Sequence, residues 1–343
     1  MTPPLRTFLD LLVSTRTATA AVALAGTADE VAWEDAAGDA TPEARFDFAS
    51  LTKPFTFTLA LVLDRDGTLP LATRIGEVFP EANPRLGGRP LSDLLRHRSG
   101  LAPWEPLYHL CQSHEEVQPL LLDGKRMRES RRAVYGDLDI LLYGLAAEKV
   151  TGQPYDRLMR SRVLDPLGLS SVQPAPGDRP DIARSFMDTD QEVKLAAKQG
   201  LMIPLQGPPP RGLPQDGNAR FLIRLGAGLP AHAGLFGRAR DLWRLGSEWL
   251  EPRLLLNREA TAAALRGSPF YLGWWRRDLK GSAGRALSPG SFGHTGFAGG
   301  SLWIDPEQRR VLVLLTHRTE PFSNMNRWRR RFHALASATY MIP

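Results

Sequence analysis

Cysteine is almost missing from this 343-residue chain. The single thiol, Cys111, excludes an internal disulfide framework and any all-cysteine zinc site. Lysine is scarce too, six residues against 37 arginines. The skew reads as codon usage rather than function, yet it makes each lysine worth locating. No stretch approaches the ~18 consecutive apolar residues of a transmembrane helix, and no membrane span is expected. With 31 glycines and 28 prolines, the chain is too poor in both to be collagen-like or of low complexity.

What is present fits a globular protein. Apolar residues make up 43% and charged residues 23%, and the length is roughly two domains' worth at about 150 residues each. Net charge +6 and a pI near 9.7 invite a nucleic-acid partner, because Lys and Arg on phosphates supply most non-specific affinity. The charges are scattered, however, and no nucleic-acid motif appears. The densest basic run, Arg327, Arg329, Arg330 and Arg331, reads as the wet face of a last helix carrying Trp328, Phe332 and Leu335. No nucleic-acid partner is expected.

Residues 5–13 space their apolar side chains as a helix would. The alanine-rich run 17–26 is either the apolar part of an export signal or a strand entering a hairpin through residues 26–30. Asp10 interrupts the leader, which favours the strand and a cytoplasmic protein, with export to the periplasm or cell surface as the alternative. A long apolar helix runs from Ser50 to about Asp66-Gly67. Leu138, Leu141, Leu142 and Leu145 repeat at helical spacing up to Thr151-Gly152, and Pro154 opens another helix that closes at Asp165-Pro166. Residues 203–217 are Pro/Gly-rich and long for a mere connector. Near the end, 301–305 and 311–316 form a strand hairpin around the turn 306–309, covered by a helix over 328–338. The expected fold class is therefore α+β, an α/β sandwich. An antiparallel sheet is built from both chain ends (about 1–65 and 230–343) and flanked by helices, with a mainly helical insertion at about 66–229.

Ser50-Leu51-Thr52-Lys53 is the first chemical candidate. At a helix start, residues i and i+3 share a face, so the Ser50 hydroxyl and Lys53 amine meet. A serine is a poor nucleophile until a neighbouring base takes its proton, and a desolvated lysine of lowered pKa can do so. The helix N-terminus adds N–H donors for developing negative charge. Alone, the pattern fits better with an N-cap serine and an exposed lysine. Three more segments change that reading: His97-Arg-Ser-Gly-Leu101 in a polar turn, Val134-Tyr135-Gly136-Asp137 before a helix, and Phe292-Gly-His294-Thr295-Gly296-Phe297 before the final hairpin.

In this order and spacing, these segments resemble the serine β-lactamase and penicillin-binding-protein family, in its class C and esterase-related branch. There Ser-x-x-Lys, Tyr-x-Asn and a Lys/His-Thr-Gly strand converge on one site. The resemblance spans nearly the whole chain, including Phe46–Lys53, the stretch from Gly144 to Leu169, Ala231-His-Ala-Gly-Leu-Phe236 and His294–Asp305. It implies a β-lactamase/transpeptidase-like fold, Ser50 as acylated nucleophile and Lys53 as its activating amine. Tyr135 would relay protons, its alternative being a core tyrosine at a helix entry. His294 and Thr295 would line the opposite wall, and the backbone N–H groups of Ser50 and Phe297 would form the oxyanion hole.

Two departures stand out. Asp137 replaces the commoner asparagine, and an ionised carboxylate only accepts hydrogen bonds. Beside Lys53 it would favour the charged amine and make it a poorer base, leaving proton abstraction mainly to Tyr135. His294 replaces lysine and is neutral near pH 7 unless shifted, which points to neutral ester or amide substrates over β-lactams. His232 reads as a hydrogen-bonding scaffold residue. Cys111 with His109 and His114 lacks a metal spacing, and Trp274, Trp275 and Tyr271 read as core or cleft wall. No metal and no cofactor are expected.

The expected function is a serine hydrolase working through an acyl-Ser50 intermediate on a small ester or amide. β-Lactamase or D-alanyl-D-alanine carboxypeptidase activity is the alternative within the same chemistry, and a non-catalytic binding protein on this scaffold is the alternative from another class. The oligomeric state is left open.

Overall fold

The computed structural model describes residues 4–128, 132–267, 269–319 and 324–339. Its strands in chain order are β1 (Ala18–Gly26), β2 (Val31–Gly38), β3 (Phe46–Asp47), β4 (Gln173–Pro174), β5 (Leu235–Gly237), β6 (Trp275–Arg276), β7 (Phe292–Thr295), β8 (Gly299–Asp305) and β9 (Arg310–Arg318). Six of them form one antiparallel sheet in the order β2-β1-β9-β8-β7-β6. The alanine-rich run that could have been a leader is thus a central strand, with Val22 opposite Leu315 and Leu24 opposite Val313.

Alternate residues of a strand face opposite ways, and here both faces are covered. Ala20, Val22, Leu24, Val313 and Leu315 join the main core, together with Leu242, Leu245 and Trp249 of the helix Ala239–Leu250. Ala21, Ala23, Leu312 and Leu314 face the other way, onto the helices Pro4–Ser14 and Met325–Thr339. Those two helices meet where Phe8 stacks on Phe332, ring centroids 5.9 Å apart. Burial on both faces explains why β1 and β9 are nearly unbroken apolar runs rather than alternating ones.

The last helix is less wet than its sequence implies. Arg327 and Arg331 are exposed, but Arg329 is buried, so the basic run is not one solvated face. Among the described residues no helix is long and apolar enough to cross a membrane.

A second, three-stranded sheet, β3-β5-β4, leads into the helix Lys53–Arg65. Every residue of that helix from Lys53 to Leu63 is buried, as expected of a central helix surrounded by other elements. Pro54 sits in its first turn, where a missing N–H costs nothing. Its polar side chains are all satisfied: Thr56 donates to Ala231 O, Thr58 to Pro54 O, and Trp249 Nε1 donates to Thr58. This buried rod fixes the position of Ser50 and Lys53 relative to the large sheet.

Candidate active site

Ser50 lies in a short 3-10 turn, Ala49–Thr52, that runs into the buried helix. The residue before it, Ala49, has φ +47°, a left-handed conformation that costs a non-glycine residue about 1 kcal/mol or more. Asp47 holds it there, accepting the Ala49 N–H at 2.8 Å and the Gln215 N–H at 2.7 Å. Burial pushes the Asp47 carboxyl up to about 6, and the two amide donors pull against that rise. The long 203–217 loop is therefore more than a connector, because its end is tied to the turn that presents Ser50.

Lys53 is fully buried and not the exposed lysine that its motif alone permits. Its Nζ donates to Ser50 Oγ at 2.9 Å, to Asp137 Oδ1 at 2.6 Å and to the His232 carbonyl at 3.1 Å. Burial alone would push the ammonium down, but the Asp137 carboxylate and the Tyr135 hydroxyl reverse this and leave it above the usual lysine value. All three protons are thus engaged and no lone pair faces Ser50 in this state. Asp137 reaches this position because the backbone at 136 passes against Pro103. A Cβ on Gly136 would stand 2.5 Å from Pro103 Cα, and the Asp137 N–H donates to Pro103 O at 2.7 Å.

Tyr135 is held by rings from three distant segments. His97 lies 4.9 Å from it, Trp275 on β6 5.3 Å and His294 on β7 5.6 Å, centroid to centroid. Burial raises the phenol's pKa, while the Lys53 charge, 5.2 Å from the ring centroid, and the Ser50 hydroxyl pull it back. The turn carrying His97 is polar in composition but not wet: His97 and Ser99 are both fully buried. Burial, then the Lys53 charge, pushes His97 down to about 3, and burial raises its neighbour Asp139 to about 8.

Of the two residues expected on the opposite wall, Thr295 lines the cavity, whereas His294 is fully buried and does not; its Nδ1–H donates to Thr295 O at 3.0 Å, leaving a buried, unpaired Nε2. Burial first and Lys53 second keep this imidazole neutral, well below its usual pKa. The chain then turns through Gly296–Gly299. A Cβ on Gly296 would sit 2.7 Å from Phe48 O, so only glycine lets this turn lie against the Ser50 turn. Neither the Ser50 N–H nor the Phe297 N–H has a hydrogen-bond partner among the described residues. Both residues line one cavity of about 450 Å3, with Tyr135, Asp137 and Thr295.

The remaining walls of that cavity come mostly from side chains with no motif around them, Phe297 and the expected wall residue Trp275 excepted. Trp104, Leu195, Trp275 and Phe297 supply apolar surface, Glu192 and Asp216 carboxylates, and Arg318 and Arg329 guanidinium groups. Asp216 also caps the helix Gly217–Arg224 and accepts from His232 Nε2 at 3.2 Å, which gives His232 its scaffold role. Arg318 stacks on Phe297 at 4.5 Å. Of the charged wall residues, Asp216 before Gly217 carried a sequence signal, that of a helix cap. A larger cleft of about 710 Å3 opens beside Glu148, Tyr155 and Ala231, and holds none of the reactive side chains.

Comparisons with known proteins bear on the family and the fold. The family profile described as "Beta-lactamase" matches residues 9–336. A "Putative D-alanyl-D-alanine carboxypeptidase" of Escherichia coli (strain K12) is 27% identical over 319 residues, covering 81% of this chain and 70% of that protein. Among solved structures, the class C beta lactamase from Rhodobacter sphaeroides superposes with a TM-score of 0.73 at 17% identity, over 96% of this chain and 97% of the other. EstCE1, "a hydrolase with promiscuous acyltransferase activity", gives the same TM-score, identity and coverages. At such identities these structures speak for the fold, an α+β architecture with an antiparallel sheet.

Proposed function

Because the chain belongs to the Beta-lactamase family of serine hydrolases, we propose that it cleaves small esters or amides through an acyl-Ser50 intermediate. The observation that carries this reading is that Ser50, whose hydroxyl accepts from the buried Lys53 ammonium at 2.9 Å, lines one cavity with Phe297, and that the amides of both residues are unpaired among the described residues. Two N–H donors aimed at one point are what a tetrahedral oxyanion requires.

Since the Lys53 protons are all committed, the proton of Ser50 passes to the phenolate form of Tyr135, which burial disfavours and the Lys53 charge favours. Ser50 Oγ then attacks the carbonyl, and Tyr135 hands the proton to the departing alcohol or amine. In deacylation, Tyr135 takes a proton from a water that attacks the acyl carbonyl and returns it to Ser50 Oγ as the Ser50–acyl bond breaks, releasing the acid. Lys53 and Asp137 stay paired throughout and hold the phenol's field constant. Thr295 contributes the wall beside the leaving group, and the neutral His294 supplies no cation for a substrate carboxylate. That absence of charge, with Trp104, Trp275 and Phe297 around the nucleophile, supports an uncharged ester or amide carrying an apolar acyl group.

One observation favours a second reading. Arg318 borders the same cavity and, although burial lowers its pKa to about 10, it is cationic at neutral pH. A carboxylate-bearing substrate, a β-lactam or a D-alanyl-D-alanine terminus, could pair with it.

The test is a panel of p-nitrophenyl esters, a chromogenic cephalosporin and a D-Ala-D-Ala peptide, with intact-mass detection of the adduct. Wild type is expected to gain the acyl mass and turn over the esters fastest, and Ser50→Ala to gain none. No adduct with any substrate, nor with a fluorophosphonate, would end the hydrolase reading.

A further inference from the structure

We infer that Arg329, on the C-terminal helix, is the positioning residue of the oxyanion hole: its buried guanidinium fixes the 296–300 turn and polarises the peptide that carries the Phe297 N–H. The inference rests on the reading of Ser50 and Phe297 given above.

Arg329 is buried, and its guanidinium is spent on backbone carbonyls. Nη2 donates to Gly296 O at 3.2 Å, Gly299 O at 2.8 Å and Gly300 O at 3.0 Å, and Nε donates to Gly299 O at 3.2 Å. Nη1 is held by Asn326 Oδ1 at 2.9 Å. No carboxylate pairs with it among the described residues. A buried cation that forgoes an ion pair for three carbonyls of one glycine turn is fixing that turn's shape, since each charge-assisted bond is roughly twice as strong as a neutral one.

The direction of the grip matters most. Gly296 C=O and Phe297 N–H belong to one planar trans peptide, so they point in opposite directions. Drawing the carbonyl toward Arg329 turns the Phe297 N–H away from it, and Phe297 lines the cavity together with Ser50. The same bond withdraws electron density through the amide and makes that N–H a stronger donor, the polarisation that chained hydrogen bonds produce. The turn has little room to move otherwise: Gly296 lies against Phe48 O, and a Cβ on Gly300 would meet Leu51 Cδ1 at 3.0 Å. Arg329 also borders the cavity itself.

Lysine cannot replace it, because a point charge lacks the planar fork that spans three acceptors. In an ester assay, Arg329→Ala is expected to lower kcat by about 10²-fold, the scale of losing one oxyanion donor, with KM changed less than threefold. Affinity for a boronic acid, which forms a tetrahedral adduct on serine, should fall by a similar factor. Added guanidinium should restore part of kcat in Arg329→Ala, and Arg329→Lys should recover little. Arg331→Ala, exposed on the same helix, is the control and should behave as wild type.

Unchanged kcat and boronate affinity in Arg329→Ala, or a defect confined to KM, would overturn the inference. If Arg329→Ala does not fold, Arg329→Lys carries the test, and full activity there overturns it equally. Fluorophosphonate labelling of wild type separates the two levels. A wild type that fails to label removes the hydrolase reading, whereas a wild type that labels no faster than Arg329→Lys removes only the role of Arg329.

Discussion

Lys53 Nζ lies 2.6 Å from Asp137 Oδ1, and this ion pair, with the lysine fully buried, adjoins both Ser50 and the Tyr135 ring. The pair decides which group can act as base. A carboxylate at 137 keeps the ammonium charged and at the same time opposes ionisation of the nearby phenol.

Replacing Asp137 with Asn removes that negative charge while keeping a carbonyl oxygen for Lys53. Both the Lys53 and Tyr135 pKa values then fall, so the alkaline rise in kcat/KM for a p-nitrophenyl ester should move to lower pH. An unaltered pH–rate profile would show that the pair does not govern the base. Asp137→Ala, which strands a buried charge, is expected to cost about 3–5 kcal/mol of stability in denaturant unfolding.

Asp139 offers a stability test free of activity. Burial raises its folded-state pKa to about 8, above the unfolded carboxyl value of 3.8. Its contribution to stability is fully present below pH 3.8 and is lost as pH rises toward 8, because the unfolded chain releases a proton that the folded protein retains. The neutral buried histidines, His97 among them, act in the opposite sense below about pH 6.5. Between pH 7 and 8, wild type should therefore lose up to about 1.4 kcal/mol more than Asp139→Asn. Parallel Tm curves for the two proteins across that interval would refute the assignment.

Gly296→Ala probes the close approach of the two turns. Its Cβ would stand 2.7 Å from Phe48 O, and backbone cannot yield as a side-chain end can. Relieving the overlap moves Phe297 relative to Ser50, so kcat for an ester is expected to fall about 10²-fold. The loss of stability should stay within about 1–3 kcal/mol. A variant with wild-type kcat would mean that the turn tolerates displacement.

Sequence reasoning reached some parts of the molecule and not others for identifiable reasons. The helix over 5–13, the strand hairpin at the C-terminal end and the helix after Asp137 were legible because their apolar spacing is local. Ser50, Lys53, Tyr135, Asp137, His294 and Thr295 stood in recognisable segments; Ser50, Tyr135, Asp137 and Thr295 line one cavity, with Lys53 and His294 buried beside them. Arg329 was misread as solvated, since a helix pattern marks apolar positions and cannot reveal that a cation is buried against carbonyls. Glu192 and Arg318 carried no signal at all: their position in the cavity follows from tertiary packing of the 190–198 helix and the end of β9. The buried character of the His97 turn was hidden for the same reason.

The pairing of β1 with β9 brings residue 18 opposite residue 318, and this couples catalysis to the order of synthesis. Ser50 leaves the ribosome early, but the Phe297 turn, β9 and the Arg329 clamp are all made near the end. A nascent chain can form the buried helix and still lack one half of its oxyanion site until the last strand closes the sheet. Contacts so distant in sequence close slowly. The proposed ester turnover should therefore appear during refolding only with the final kinetic phase, when β9 has closed the sheet.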